Sequence, residues 1–305
     1  MNLIGQSMED RAYDLIVANG YEQHDRFPVL EAAWPTVASA LPLFVAGPNQ
    51  RLQTVCDALN VFLIYTGRQD EWLSLTLQAE AKAEATGDHH RAGTRAIEAA
   101  VFHFLREPAD AFIACAGRAA DHFYTAKAGV EEQTFALALS GLGHRSKQDY
   151  PAELANARKA VELWRSLAAE SVNVVHSLGE VAEIERLMRD LPSAERDYRE
   201  ALRIARAVGH AWGVAYCISR LAGLALERRD WPEAEALARE AMPLAEKAGH
   251  NELTGPNHRR LAEALVRQGK RKEALSHAQQ AMALYTEFAM LDLAEAQATL
   301  KKCKA

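Results

Sequence analysis

Histidine is the residue type in this sequence that most suggests chemistry, because eleven histidines are present. The densest group is Asp88-His89-His90, which could hold a metal or serve a hydrolase that uses His89 or His90. A zinc site needs ligands that converge at fixed spacing, and neither HExxH nor CxxC occurs in the chain. We therefore interpret the group as polar loop residues, with hydrolysis as the competing hypothesis. His103 and His122 fall in helical patterns, where buried, hydrogen-bonded histidines are expected.

Motifs of nucleophilic and nucleotide-dependent enzymes are missing as well. Neither GxSxG nor GxxxxGK[ST] occurs, and Ser140-Gly141-Leu142-Gly143 is better explained as a close contact between helices or a helix end. Carboxylates are paired at Glu131-Glu132 and at Glu183 with Glu185, but charged helix faces produce such pairs freely, so we expect them to be solvated. The sequence thus predicts a protein that is not an enzyme and that has no cofactor.

The composition is that of a globular protein, with 49% hydrophobic and 25% charged residues. Glycine and proline total 17 + 10 = 27 residues, about 9% of the chain, which favours helices joined by short turns over a β-sandwich. The four cysteines are far apart, so we expect small packing residues in a reducing compartment. The first twenty residues carry Glu9, Asp10 and Asp14, and the longest apolar runs are too short for a membrane span. A soluble, cytoplasmic protein without a membrane partner is expected.

An internal repeat of 40 residues organises the chain. Each repeat consists of two amphipathic helices, as in 212–227, followed by a polar turn and a second helix that begins near Pro232. One such pair cannot bury its own apolar stripe, so successive pairs are expected to stack. The matching positions are Val181-Ala182, Leu221-Ala222 and Leu261-Ala262; Ala194, Ala234 and Ala274; Ala201, Ala241 and Ala281; and Gly209-His210 with Gly249-His250.

Weaker copies of the repeat extend toward the N-terminus. Asp149-Tyr150-Pro151 corresponds to Asp230-Trp231-Pro232, further turns are predicted at 66–69 and 86–89, and Arg106-Glu107-Pro108 is the turn of the weakest copy. The sequence therefore predicts one all-α domain over 1–305, a right-handed α-solenoid of about seven helix pairs with a capping helix. The expected pairs are 8–46, 50–86, 90–128, 130–168, 171–208, 211–248 and 252–286, and the cap is 288–303.

The repeat resembles the tetratricopeptide repeat (TPR), in which a large apolar residue and Ala or Gly precede two alanines seven residues apart. Leu221-Ala222 with Ala234 and Ala241 has this pattern. The 40-residue period exceeds the usual ~34. This longer form, together with Leu30-Glu31-Ala32-Ala33-Trp34-Pro35, is similar to the repeat arrays of bacterial signal-transduction (STAND-type) ATPases and related transcription regulators. The resemblance implies a sensor or scaffold portion, without nucleotide hydrolysis because no phosphate loop is present.

The resemblance also implies a concave groove that is lined by the first helix of each pair and binds a protein or peptide. With Val181, Leu221 and Leu261 taken as the buried track, the opposite stripe should face the groove. Arginine in that stripe suits carboxylate recognition. The competing interpretation is that these are ordinary exposed charges. The predicted groove residues are His176, Glu183, Arg186, Tyr216, Arg220, Glu227, Arg259, Glu263 and Arg267.

The sequence is also compatible with other ligands. A small-molecule effector inside the superhelix is the main alternative to a peptide. The basic turn Lys270-Arg271-Lys272, near Arg267, raises nucleic acid as a rival partner. The net charge of −6 and the lack of interleaved aromatic residues argue against it. The oligomeric state and any larger protein to which the chain belongs are left open.

Overall fold

The computed structural model describes residues 7–106, 109–247 and 251–304. Apart from one 3-10 turn, His24–Arg26, the regular structure in these ranges is α-helical, which confirms the predicted fold class. Within those ranges the fifteen helices are α1 (Met8–Asn19), α2 (Phe27–Ala46), α3 (Asn49–Tyr65), α4 (Gln69–Ala85), α5 (His89–Arg106), α6 (Ala109–Thr125), α7 (Val130–Ser146), α8 (Tyr150–Leu167), α9 (Val172–Leu187), α10 (Leu191–Ala207), α11 (Ala211–Glu227), α12 (Trp231–Lys247), α13 (Asn251–Arg267), α14 (Arg271–Glu287) and α15 (Leu293–Lys304).

The helices divide into two compact units, unit 1 at residues 1–149 and unit 2 at residues 150–305. Within each unit most successive helices pack against each other, and so do alternate helices such as α9 with α11 and α11 with α13. The two helices predicted as the 130–168 pair, α7 and α8, belong to different units. The other predicted pairs each lie within one unit, while a single domain over the whole chain stays a prediction.

Short turns join the helices, and many of them contain one residue with positive φ. Gly67, Gly209 and Gly269 have φ values of 75°, 69° and 78°, as expected for glycine at the end of a helix. Arg229 has φ 63° in the turn that corresponds to that of Gly269, although a side chain disfavours this conformation. The predicted turn residues Glu107-Pro108 and Gly249-His250 lie outside the described residues.

Alanine holds the helices of successive pairs close together. Ala194, Ala234 and Ala274, at the same repeat position, are fully buried. The track of Val181, Leu221 and Leu261 is at most 2% exposed, as the repeat alignment predicts. Small residues on the second helices therefore leave room for the large apolar residues of the first helices, and neighbouring pairs bury each other's apolar stripes.

Gly143 of the Ser140-Gly141-Leu142-Gly143 segment serves the same purpose in unit 1. The segment lies inside α7, and a Cβ atom on Gly143 would come within 2.4 Å of Ile113 Cγ1 on α6. The predicted close contact between helices is therefore confirmed. An alanine at this position would force α6 and α7 apart.

Helix α2 is the most apolar helix of unit 1. Phe27, Leu30, Val37, Ala40 and Phe44 are buried on one of its faces, and α2 packs against α1 and α3. By length and composition alone, residues 24–46 could cross a membrane, and no second helix in the described part of the chain meets that test. Single polar residues divide this segment, so its uninterrupted apolar runs are short.

Ion pairs link the second helices of unit 2 at a regular spacing of 34 residues. Arg199 on α10 contacts Glu233 on α12 at 3.1 Å. Arg239 on α12 contacts Glu273 on α14 at 2.6 Å. Exposed pairs of this kind contribute little free energy individually. Their repetition nevertheless shows that neighbouring pairs of unit 2 stack in the same register.

Replacing the strained arginine in the turn between α11 and α12 should stabilise the protein. Arg229→Gly removes a side chain from a left-handed residue, so the free energy of unfolding should rise by about 0.5–1 kcal/mol in urea denaturation. The matched control is Gly269→Ala in the corresponding turn, which should lower it by a similar amount. A loss of stability in Arg229→Gly would contradict the assigned turn.

Candidate functional site

The candidate site lies on three helices of unit 2, namely α9, α11 and α13, which are the first helices of successive pairs. We call their polar side chains the first-helix face. All nine predicted groove residues lie on these helices, three on each. The helices contact one another directly, α9 with α11 and α11 with α13. Side chains at equivalent positions in neighbouring repeats can therefore interact.

Glu183 is the centre of the polar network on this face. Its carboxylate accepts hydrogen bonds from Arg186 at 2.7 and 3.1 Å and from the Tyr198 hydroxyl at 2.9 Å. Arg220 on α11 lies 3.7 Å away from it. Arg186 also donates to Glu227 on α11 at 2.8 Å. The structure therefore brings four of the predicted residues, Glu183, Arg186, Arg220 and Glu227, into one network between α9 and α11.

The network keeps Glu183 ionised in spite of its burial. Burial raises the pKa of its carboxyl, but the hydrogen bond from Arg186 and the charge of Arg220 outweigh burial and lower the pKa overall. Burial raises the pKa of Tyr198, and the nearby Tyr216 and Glu183 raise it further, so its hydroxyl remains a donor. The face thus presents fixed charges whose orientation is set by their neighbours.

An aromatic stack extends the network along α9 and α11. The rings of Trp212 and Tyr216 are stacked with centroids 4.8 Å apart, and His176 stacks on Trp212 at 5.2 Å. The Arg220 guanidinium lies 5.0 Å from the centre of the Tyr216 ring. His176 Nε2 is 3.2 Å from His210 Nε2. Burial and the neighbouring His210 lower the pKa of His176, which favours the neutral ring.

Two predicted residues on α13 interact with the last helix of the chain. Arg259 contacts Glu295 on α15 at 2.9 Å, and Lys302 on α15 donates to Glu263 at 3.0 Å. Arg259 and Glu263 are 3.9 Å apart. These residues therefore form a second polar group, next to the predicted capping helix.

The basic turn near α14 is partly neutralised. Lys270 contacts Glu235 on α12 at 2.7 Å. The hydrogen bond from Lys270, followed by those from Arg239 and Gln268, overcomes burial and lowers the pKa of Glu235 to about 2. Arg267 lies apart from the other predicted residues, with its guanidinium 5.5 Å from the Trp231 ring centre.

Several residues of this face were not predicted. Tyr198 lies on a second helix, and His210 and Trp212 lie at the start of α11, so a stripe drawn along first helices did not include them. Arg260 contacts Ser219 across α11 and α13. A signal for Arg260 was present in the sequence, because it is 260 − 220 = 40 residues from Arg220 and has the same repeat position.

Unit 1 contains a buried arginine with a full set of partners. Arg95 on α5 is fully buried. It donates to the side chain and backbone carbonyl of Gln53 at 2.8 and 3.0 Å and to Glu98 at 3.0 and 2.9 Å. Asp57 on α3 accepts a further hydrogen bond from it. Two carboxylates and a carbonyl thus compensate this charge, as a buried cation requires.

The predicted histidine loop is the start of a helix. His89 and His90 form the first turn of α5, where His89 Nδ1 lies 3.5 Å from His122 Nδ1 and His90 Nε2 lies 2.8 Å from Glu132 Oε1. His122 is 7% exposed, as predicted from its helical pattern, whereas His103, for which burial was also predicted, is only partly buried. Across residues 7–106, 109–247 and 251–304, no group of three His, Cys, Asp or Glu side chains could hold a metal ion.

One of the predicted solvated carboxylate pairs is not solvated. Glu185 is 1% exposed, because α9 is packed against α8 and α10. Arg158 on α8 donates to it at 2.8 Å. Burial nevertheless raises the pKa of Glu185. The prediction was wrong because periodicity alone does not show which side of a first helix faces its partners.

The cysteines are packing residues, as predicted. All four are buried and none forms a disulfide. Burial raises the pKa of both Cys56 and Cys217 to about 12, so these thiols are protonated at neutral pH and are poor nucleophiles.

Comparison with known proteins confirms the repeat type. Residues 214–287 match the family model of the tetratricopeptide repeat, so the predicted resemblance is confirmed there. That segment contains most of α11, all of α12 and α13, and α14. Among curated proteins, no sequence matches this chain.

Solved structures extend the similarity beyond that segment. Aspartyl phosphate phosphatase F from Bacillus subtilis has a TM-score of 0.62 and 12% identity, and the match covers 95% of this chain and 78% of that one. A signal-transduction ATPase (STAND) with a tetratricopeptide repeat sensor from Pyrococcus horikoshii has a TM-score of 0.55 and 11% identity, over 98% and 43% of the two chains. BtubC from P. vanneervenii has a TM-score of 0.58 and 14% identity, over 72% and 92%. At these identities the similarity establishes the fold, a TPR-like solenoid.

Neutralising the centre of the network should destabilise the protein. Glu183→Gln leaves Arg186 and Arg220 without their shared carboxylate, and we expect the free energy of unfolding to fall by about 2–3 kcal/mol in urea denaturation. The matched control is Glu240→Gln, which removes an exposed pair with Arg206 and should cost less than about 0.5 kcal/mol. Equal losses of stability in the two variants would show that Glu183 contributes no more to folding than an exposed carboxylate does.

Proposed function

We propose that this chain is a non-catalytic binding scaffold of a regulatory protein, and that it captures a protein or peptide on the first-helix face of unit 2. The observation that carries the proposal is the combination of Tyr216, Trp212 and Arg220 on that face, each of them partly exposed. Tyrosine, tryptophan and arginine are the residue types most enriched at the energetic centres of protein interfaces. All three lie on α11, the first helix of its pair, which contacts the first helices α9 and α13 on either side.

The face is also organised before any ligand binds. Glu183 holds Arg186 and Arg220, and the stacked rings of Trp212 and Tyr216 restrain each other. Ordering long side chains during association costs about 0.5–1.5 kcal/mol for each one. Side chains that are already held in place avoid most of that cost, so a short peptide could bind specifically.

The regulatory part of the proposal is supported by the fold similarity to a STAND protein whose repeats are described as a sensor. A sensor of this kind binds a ligand and passes the event to another part of a protein. The alternative ligand is a small-molecule effector. The stack of His176, Trp212 and Tyr216 favours a flat molecule in that case, because aromatic rings stack face to face with an offset.

Peptide selection tests the proposal without knowledge of the natural partner. Random peptides displayed on phage are selected on the immobilised protein, and the affinity of an enriched peptide is measured by fluorescence anisotropy. Arg220→Ala removes the guanidinium that lies beside both Tyr216 and Glu183. We expect this substitution to lower the affinity for the peptide by at least about tenfold, which corresponds to about 1.4 kcal/mol of binding free energy.

The matched control is Arg206→Ala on α10, which is exposed and paired with Glu240 on the neighbouring second helix. It should leave the affinity unchanged, and circular dichroism should show both variants folded. A selected peptide that binds Arg220→Ala as tightly as wild type would contradict the assignment of the face. Enrichment of no peptide, together with thermal stabilisation by a metabolite, would favour the small-molecule alternative.

A further inference from the structure

We infer that the space beside Arg260, between α11 and α13, binds one oxyanion group of a ligand, a carboxylate or a phosphate. The inference rests on the proposed function, because it specifies the chemistry of a ligand on the first-helix face. Its basis is the cation Arg260, which packs against α11, where no described carboxylate contacts it.

The Arg260 side chain packs closely against α11. Arg260 Nη1 donates to the Ser219 hydroxyl on α11 at 2.8 Å. The guanidinium lies against Gly223, where a Cβ atom would come within 3.2 Å of Arg260 Nε. Glycine inside a helix is less favourable than alanine. Its presence in the middle of α11 is explained by the space that the arginine occupies.

The charge of Arg260 has no carboxylate partner within the described ranges of the chain. Ser219 is its hydrogen-bond acceptor there, and it forms no ion pair with a described Asp or Glu. Burial, followed by the neighbouring cations Arg259 and Arg220, lowers the pKa of Arg260 to about 10. Arginine is charged under ordinary conditions, so this site carries an uncompensated positive charge in the free protein.

Comparison with Arg95 in unit 1 shows what is missing. Arg95 is fully buried, and Asp57 and Glu98 neutralise it, whereas Arg260 is partly buried and has no such partner among the described residues. Removing the anion from a buried pair is strongly destabilising, so buried charges are almost always paired. Arg260 packs against α11 without such an anion, and a ligand oxyanion would supply the compensation that Asp57 and Glu98 provide for Arg95.

A second cation increases the positive charge at the same place. Arg220 has the same repeat position as Arg260, and its nearest carboxylate is Glu183 at 3.7 Å. That carboxylate is already bonded to Arg186 and Tyr198 at shorter distances. Arg220 therefore adds positive charge near Arg260, and Glu183, which it shares with Arg186, offsets that charge only in part.

A buried side-chain amide without hydrogen-bond partners lies one helical turn from Arg260 on α13. Asn257 is fully buried, and neither its Nδ2 nor its Oδ1 has a hydrogen-bond partner in the described structure. Asn257 and Arg260 are three residues apart, so they lie on the same side of the helix. A buried amide without partners marks a place where a water or a ligand atom is expected.

These surroundings determine the chemical class of the ligand. A cationic group would be repelled by Arg220 and Arg260, and an apolar group would leave the charge uncompensated. Guanidinium presents paired N–H donors that match the two oxygens of a carboxylate or phosphate. A side-chain or terminal carboxylate of a peptide and a phosphate group therefore share the required chemistry.

The test measures thermal unfolding of the full chain with sodium phosphate or sodium succinate, against sodium chloride at equal ionic strength. We expect at least one of the two anions to raise the wild-type midpoint in a saturable manner, by about 2–4 °C. Arg260→Met should abolish that rise. In chloride its midpoint should equal or exceed that of wild type, because an unpaired charge has been removed.

The matched control is Arg239→Met on α12, where the arginine is paired with Glu235 and Glu273, and it should keep the saturable rise. General salt effects occur equally in all variants, so only the difference between them counts. A response to phosphate alone, or to succinate alone, identifies which oxyanion the site takes.

The inference is overturned if Arg260→Met keeps the wild-type response, or if wild type responds to neither anion. If Arg260→Met does not fold, Arg260→Gln and calorimetric titration of wild type with the same two anions decide the question. A selected peptide that loses affinity in Arg220→Ala but not in Arg260→Met would overturn this inference and leave the proposed function intact.

Discussion

Stacking between neighbouring helix pairs is the interaction on which the rest of this structure depends. A pair such as α11 and α12 is amphipathic on both helices and cannot bury its apolar residues alone. Ala234 and Ala241 on the second helix are fully buried, and so is Ala222 on the first. Because a methyl group is the largest side chain at these positions, a larger residue would separate the helices and expose the neighbouring leucines. The 40-residue period of the sequence reflects this requirement.

Stacking also determines where polar side chains meet. Residues at equivalent positions of adjacent repeats lie side by side, so a charge on one first helix is placed next to one on another. Arg186 reaches Glu227 in this way, and Arg260 reaches Ser219. The contrast between Arg95 and Arg260 follows from the same geometry, since the neighbouring helix supplies the carboxylate of Asp57 in the first case and a hydroxyl in the second. The proposed ligand site is thus a place where stacking positions a cation but does not neutralise it.

The fold could be predicted from the sequence because the same pattern of apolar, small and turn residues recurs in each repeat. The buried track and the ends of the helices follow from spacing alone, and the similarity to TPR proteins agrees with them. The side-chain network could be predicted only in part. Glu183, Arg186, Arg220 and Glu227 were found because they share a stripe, although the stripe did not show which of them touch.

Contacts that depend on the stacking distance could not be predicted. Tyr198 joins the network from a second helix, and Trp212 joins it from the first turn of α11. Glu185 was expected in solvent but is buried. The prediction failed because the sequence does not show which helices flank α9. That no described carboxylate pairs with Arg260 depends on how the helices pack, because Glu252 and Glu263 are close to it in the sequence.

The most direct measurement of the central claim is the response of individual arginine side chains to a bound peptide. Nuclear magnetic resonance of the arginine Nε–H groups, recorded with and without a phage-selected peptide, reports on each helix face separately. The account predicts that the signals of Arg220 and Arg260 shift, while those of Arg199 and Arg239 on the second helices do not. Shifts confined to Arg199 and Arg239, with Arg220 and Arg260 unchanged, would place the ligand elsewhere and contradict the account.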